Sequence, residues 1–163
     1  MLYPWLNYLH VLGVFSFLMA HGVSAGVAFA LRRERNLERV RVLLTLSGGS
    51  YGVMYSSLLV LLLTGIITGF LGKWWGQGWI WVALVLLIAV VVAMSVIGSR
   101  TYGAARKATG LPYFEGGKPH PPLETASQEQ INAVLEKGQP HLLTAIEVGG
   151  IIVIAWLMMF KPF

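Results

Sequence analysis

Four long apolar runs, at about residues 5–31, 43–71, 79–99 and 141–160, set the plan of the chain. The first, WLNYLHVLGVFSFLMAHGVSAGVAFAL, holds 27 residues without one Asp, Glu, Lys or Arg, and about 20 suffice for a tilted helix to cross a bilayer. The second is punctuated by Gly48/Gly52 and Gly65/Gly69, a spacing that lets another helix approach closely, so it is expected to be well packed. The third is almost purely aliphatic and is the expected lipid-facing helix, and the fourth ends at Lys161 and Pro162. The pattern predicts an all-α membrane protein, a four-transmembrane-helix bundle forming a single membrane domain over residues 1–163.

The polar intervals are a basic loop at 32–42, a brief KWWGQG turn at 73–78 and a long segment at 100–140. Within the last, KPHPP at 118–122 predicts an extended, polyproline-like stretch that leaves His120 solvated. Ser127 with Gln130 three residues on, then INAVLEK and Gly138, predicts a short capped helix lying at the membrane surface. The first helix is expected to be retained rather than cleaved, because MLYPW has no basic n-region and the apolar run is too long for a signal peptide.

Composition agrees with this class: 56% of residues are hydrophobic and 12% charged, against about 25% charged in soluble domains. The net charge of +5 does not point to nucleic acid. Ten of the twelve Lys and Arg fall in the 32–42 and 100–140 segments, with one each in the 73–78 turn and the C-terminus. By the positive-inside rule the two basic loops are cytoplasmic and both termini lie outside, in the plasma (inner) membrane. Trp5, Trp74, Trp75, Trp79, Trp81 and Trp156 all fall toward the same outer face, as an interfacial belt would. The absence of cysteine excludes disulfides and thiolate metal sites, leaving His, Met, carboxylate or Tyr as ligands.

His10 and His21 are 11 residues apart, so on a helix they share a face within about 20° at depths about 16.5 Å apart. Asn7 and Ser24 lie on the same stripe, with Gly22 and Gly26 beside it, so this face is expected to meet protein. Glu147 is the one carboxylate inside any span. It lies about 9 Å from the inner end of its helix, level with His21, Tyr51 and Tyr55, and these four are the candidate catalytic cluster. An ionisable group in a span is by default functional and inward-facing; the alternative is a neutral Glu147 that only ties helices together. His10 is a candidate axial or metal ligand, with packing against a backbone carbonyl as the alternative. Met158 and Met159 lie near its level and are either further ligands or plain apolar filling. His141 sits too far inward to pair with His21.

The stretch LHVLGVFSFLMAHG at 9–22, the basic RRERNLERVR after it, and the closing Glu147…LMMFKPF resemble the superfamily of HemJ-type protoporphyrinogen oxidases and CopD copper-resistance membrane proteins. The resemblance covers roughly residues 5–41 and 141–163. It implies a four-helix membrane fold and a haem b whose axial ligand is His10; the second ligand would then come from Met158, from solvent or from a second protomer. Ala83 stands where the family would place a lysine. Three readings follow: a haem- or porphyrin-binding redox protein; CopD-like handling of Cu(I) by His10, Met158 and Met159; or a ligand-free accessory subunit that joins a homodimer or larger complex through its Gly-rich helices.

Overall fold

Apolar runs of this length leave helix as the only arrangement that satisfies every backbone group in lipid, and helices dominate the observed fold. A computed structural model describes residues 2–163 of the protein. The helices are α1 (Leu2–Arg33), α2 (Leu37–Leu71), α3 (Gly78–Gly98), α4 (Ala104–Ala108), α5 (Gln128–Glu136) and α6 (Pro140–Phe160). Strands β1 (Tyr113–Glu115) and β2 (Lys118–His120) form an antiparallel hairpin. Four helical stretches are long and apolar enough to cross a membrane, as a multi-pass membrane protein requires. Their outward faces, with Phe15, Val85 and Ile152 exposed, are compatible with contact with lipid.

The first basic loop is shorter than its charge suggests. Helix α1 runs on to Arg33 and α2 starts at Leu37, because Asn36 caps α2 by accepting from Arg39 N at 3.1 Å. Glu34 braces the turn by accepting from the backbone N–H groups of Arg35 and Asn36, both at 2.9 Å. These bonds, helped by Arg39 and Arg35, hold its carboxyl below the usual glutamate range.

The third helix does not stop at residue 99. One π-helical turn at Ser99–Gly103 carries it into α4, since nothing in SRTYGAARKA breaks a helix before Gly110. There the chain closes a Schellman motif: Leu111 N–H reaches Arg106 O at 2.9 Å, Gly110 N–H reaches Lys107 O at 3.4 Å, and Gly110 takes φ +71. The segment expected to be a loop over 100–140 thus begins as helix. KPHPP is extended as expected, but its first three residues pair with β1. His120 is not free in solvent, for its ring stacks on Tyr113 at 5.2 Å. Helix α5 carries the expected capping box of Ser127 and Gln130.

Two cores occupy opposite ends. At the basic-loop end, Ile131 and Leu135 of α5 pack with Val27, Leu31, Val40, Leu44, Tyr102 and Ala105. Arg41 fastens this cap, donating through Nε to Thr109 O and through Nη2 to Thr125 Oγ1, both at 2.9 Å. At the other end Trp79, Ala83 and Leu157 pack beneath Trp74, where Lys161 Nζ sits 3.9 Å from the Trp74 ring centroid. Trp79 N–H donates to Phe163 O at 3.1 Å, which ties the C-terminus to the start of α3. All six tryptophans belong to this end, remote from the basic loops.

The spans associate as two pairs, α1 with α2 and α3 with α6. Close approach on α1 comes at Gly13, where a Cβ would lie 3.4 Å from Leu61 N and 3.5 Å from Ser57 O. Gly22 and Gly26, expected at an interface, have nothing within 4 Å of an added Cβ. Asn7 is likewise exposed rather than turned into the bundle. On α2, Gly48, Gly65 and Gly69 meet side chains, whereas Gly52 is open. The GxxxG pattern therefore marks close packing at three of its four positions.

Candidate buried cavity and its ionisable pair

Because the helices associate as pairs, space remains between them. A cavity of about 930 Å³ lies there, within the upper part of the roughly 300–1,000 Å³ range of small-molecule sites. Its walls are mostly apolar, from Leu58 and Met54 of α2 to Leu87, Val91 and Met94 of α3. Three of the four candidate cluster residues on helix faces, His21, Tyr51 and Tyr55, line it together with the fourth, Glu147.

His21 Nε2 and Glu147 Oε2 are 3.4 Å apart, and the two residues are 8% and 6% exposed. The contact joins the two helix pairs across the cavity. His21 Nδ1 has no hydrogen-bond partner among the described residues, and neither has Thr144 Oγ1, one turn before Glu147 on α6. The imidazole packs on Phe17, whose ring centroid lies 5.4 Å away with the two planes tilted by 33°. Glu147 is the only carboxylate in the cavity wall. A carboxyl and an imidazole this close can share or pass one proton, and an unspent ring nitrogen gives that proton a second exit.

Tyr51 and Tyr55 stand side by side with ring centroids 6.5 Å apart, Tyr55 being the more exposed. Tyr102 is also a wall residue, hidden from the sequence pattern because it falls in the segment expected to be a loop. It projects from the π-helical turn, is buried, and donates its hydroxyl to Ser24 O. Ser24 Oγ in turn meets Ser47 Oγ at 3.2 Å and Ser50 Oγ at 3.1 Å, a polar seam that binds α1 to α2 at the inner end of the cavity. Arg106 is a second wall residue missed for the same reason. The signal that would have found both is the absence of any helix stop between Ser99 and Gly110.

His10 occupies a different place. Its Nδ1 lies 3.0 Å from Leu61 O and 3.1 Å from Thr64 Oγ1, and its Cε1 would be 3.1 Å from a Cβ on Gly65. The imidazole therefore fills a notch in α2. Donation from Nδ1 to the carbonyl leaves Nε2 as the lone-pair nitrogen, the arrangement of a ligating histidine with its outer bond made. Yet neither His10 nor Met158 nor Met159 lines the large cavity. Met158 packs on the Trp79 cluster between α3 and α6, while Met159 is 79% exposed. His10 and Met158 thus occupy separate places, the one against α2 and the other between α3 and α6. Among the described residues no three His, Cys, Asp or Glu side chains are grouped to hold a metal ion. His141 meets Phe29 edge-on at 5.0 Å.

No protein-family model, curated protein or solved structure matches the chain.

Proposed function

We propose that the chain is a multi-pass inner-membrane protein that takes a lipid-soluble ring of the porphyrin class into the cavity between its helix pairs, where His21 and Glu147 exchange protons with it. The observation that carries this reading is the His21–Glu147 contact in the wall of an otherwise apolar cavity. An ionisable pair inside a span is costly and serves a task more often than packing. The flat side chains of Tyr51, Tyr55 and Tyr102 and the resemblance of residues 9–22 to HemJ-type sequences support a planar ligand. Both termini face outside and the two basic segments face the cytoplasm, supported by ten of twelve Lys and Arg at one end and six Trp at the other.

The experiment is a titration of the purified protein with protoporphyrin IX and with haem, followed by visible absorption. Binding is expected in the wild type and in His10→Ala, and its loss in His21→Ala. Retention in His21→Ala with loss in His10→Ala moves the site to α1–α2 and restores His10 as the ligand. Reporter fusions after Arg41 and near Gly76 test the orientation; the first is expected to register as cytoplasmic and the second as external.

The accessory-subunit reading keeps one specific support. Gly22 and Gly26 are exposed with open space above them, the kind of surface on which a second transmembrane helix sits closely. Gly22→Leu with Gly26→Leu is expected to break any larger complex under that reading, and to leave the size of the solubilised protein unchanged under the first.

A further inference from the structure

Helices α2 and α3 follow one another in sequence, yet they barely touch. Each spends its packing face on another partner, α2 on α1 and α3 on α6, so the cavity is walled on this side only by the facing edges of α2 and α3. Tyr55 on α2 is 57% exposed and still lines the cavity. It therefore stands at a mouth, and at this depth the mouth gives onto lipid.

The floor of the cavity, at the basic-loop end, carries one Arg and no Lys. Arg106 is positioned with care. Its Nε donates to Pro112 O at 2.6 Å and its Nη1 to Leu44 O at 3.0 Å, so a carbonyl on either side sets the plane of the guanidinium. Gly48 clears the space it occupies, because a Cβ there would lie 3.3 Å from Nη1. Two of five N–H donors are thereby spent. Arg35, Arg39, Arg41 and Lys107 each have a carboxylate partner. Among the described residues Arg106 has none, and the other cavity-lining group at this end that can carry charge is His120.

We propose that this cavity admits, sideways from the bilayer between α2 and α3, an amphiphile with one anionic head, and that Arg106 binds the head while the apolar body lies between the helix pairs. A fixed guanidinium with unspent donors and no counter-ion favours a carboxylate or phosphate oxygen, and the apolar walls above it require that the rest of the molecule be hydrocarbon-like. This rests on the cavity being a ligand site, as in the function proposed above, but holds for a chain as well as for a ring.

The test uses the purified full chain in phosphatidylcholine nanodiscs and a long-chain fatty acid carrying a mid-chain diazirine, with the corresponding alcohol as control. On illumination the acid is expected to label α2 and α3 around Leu58 and Met94, with the alcohol labelling about ten-fold less, the size of one charge-assisted contact. Arg106→Gln is expected to bring the acid down to the alcohol's level, and Arg106→Lys to restore part of the difference. Oleate and lysophosphatidate should both compete; competition by inorganic phosphate alone would mean that a soluble anion, not a membrane amphiphile, is bound and would overturn the proposal. Equal labelling by acid and alcohol, or labelling confined to outward faces such as Val85, would also overturn it, and this comparison needs only the wild type. Failure of protoporphyrin IX to bind while the acid labels as expected would overturn the porphyrin reading and leave this one standing.

Discussion

Glu147 on α6 meets His21 on α1 at 3.4 Å, Oε2 to Nε2, with both residues under a tenth exposed. This contact is a polar link between the α1–α2 and α3–α6 pairs within the spans. Replacing Glu147 by Leu leaves an imidazole with no partner on either nitrogen, since Nδ1 is already without one among the described residues. A loss of about 1–3 kcal/mol is expected for stranding a buried polar group, measured as a lowered midpoint of thermal unfolding in detergent. Glu147→Gln keeps a hydrogen-bonding head of the same shape and is expected to retain most of that stability. Equal midpoints for Leu and wild type would mean that the two side chains do not depend on each other.

Close packing in the α1–α2 pair is predicted to depend on Gly13 rather than on Gly22 or Gly26. The Leu61 N and Ser57 O backbone atoms lie at ordinary contact distance from a Cβ on Gly13, so Gly13→Ala is expected to be tolerated. Gly13→Leu must push the two backbones apart, at a cost of about 1–3 kcal/mol. Gly22→Leu points into open space and is expected to leave the unfolding midpoint within experimental error. A larger loss for Gly22→Leu than for Gly13→Leu would show that the helix pair meets on another face.

The hairpin at the basic-loop end carries its own pH dependence. Lys107 Nζ sits 2.9 Å from Glu115 Oε2, and this hydrogen bond, with the charge behind it, holds the Glu115 carboxyl below the usual glutamate range. A carboxyl lowered on folding adds stability above its unfolded value and loses it as pH falls through the folded one. Both groups are exposed, so the contribution is small and screened by salt. Carboxyl NMR of glutamate-labelled protein in micelles should show Glu115 titrating below the usual glutamate range, and Lys107→Ala should raise it. An unmoved Glu115 would place Lys107 away from it in solution.

Much of this arrangement was legible in the chain, and the unread part has one physical origin. Hydropathy located the four spans, and the lone intramembrane carboxylate led to His21 because both lie at one depth when their helices are laid antiparallel. The cap of α5 was readable because Ser127 and Gln130 satisfy each other locally. What local pattern could not supply was which helix face meets which. The GxxxG spacing at Gly48 serves Arg106, not a helix, and the exposed Gly22 and Gly26 share the same spacing. Helical spacing also placed His10 on a protein-facing stripe without saying that the protein it faces is Thr64 and Leu61 of α2 rather than a cavity. Ending the third helix where the hydropathy ends hid Tyr102 and Arg106, since a helix leaving the membrane needs no apolar residues to continue, only the absence of a stop.

That stop, Gly110, is the position on which the cavity floor depends. Its φ of +71 is left-handed, a conformation that a residue with a Cβ adopts at a cost of about 1–2 kcal/mol. Here the Cβ would also lie 2.8 Å from Thr125 Oγ1 and 3.1 Å from Leu123 O, so the incoming 123–125 segment must give way. The turn carries Leu111 N–H onto Arg106 O and brings Pro112 O to Arg106 Nε, so its distortion frees both ends of the arginine. It also loosens Arg41, whose Nη2 bonds Thr125 Oγ1 at 2.9 Å. Gly110→Ala is therefore expected to lower the unfolding midpoint and to open the chain at 106–112, read as faster trypsin cleavage after Arg106 and Lys107 in intact nanodiscs. Gly116→Ala is the control: its φ of +61 carries the same backbone cost, but nothing lies within 4 Å of its Cβ, and cleavage after Arg106 should not change. Equal sensitivity in the two variants would mean that backbone strain alone, and not the packing of the 123–125 segment on this turn, holds Arg106 in place.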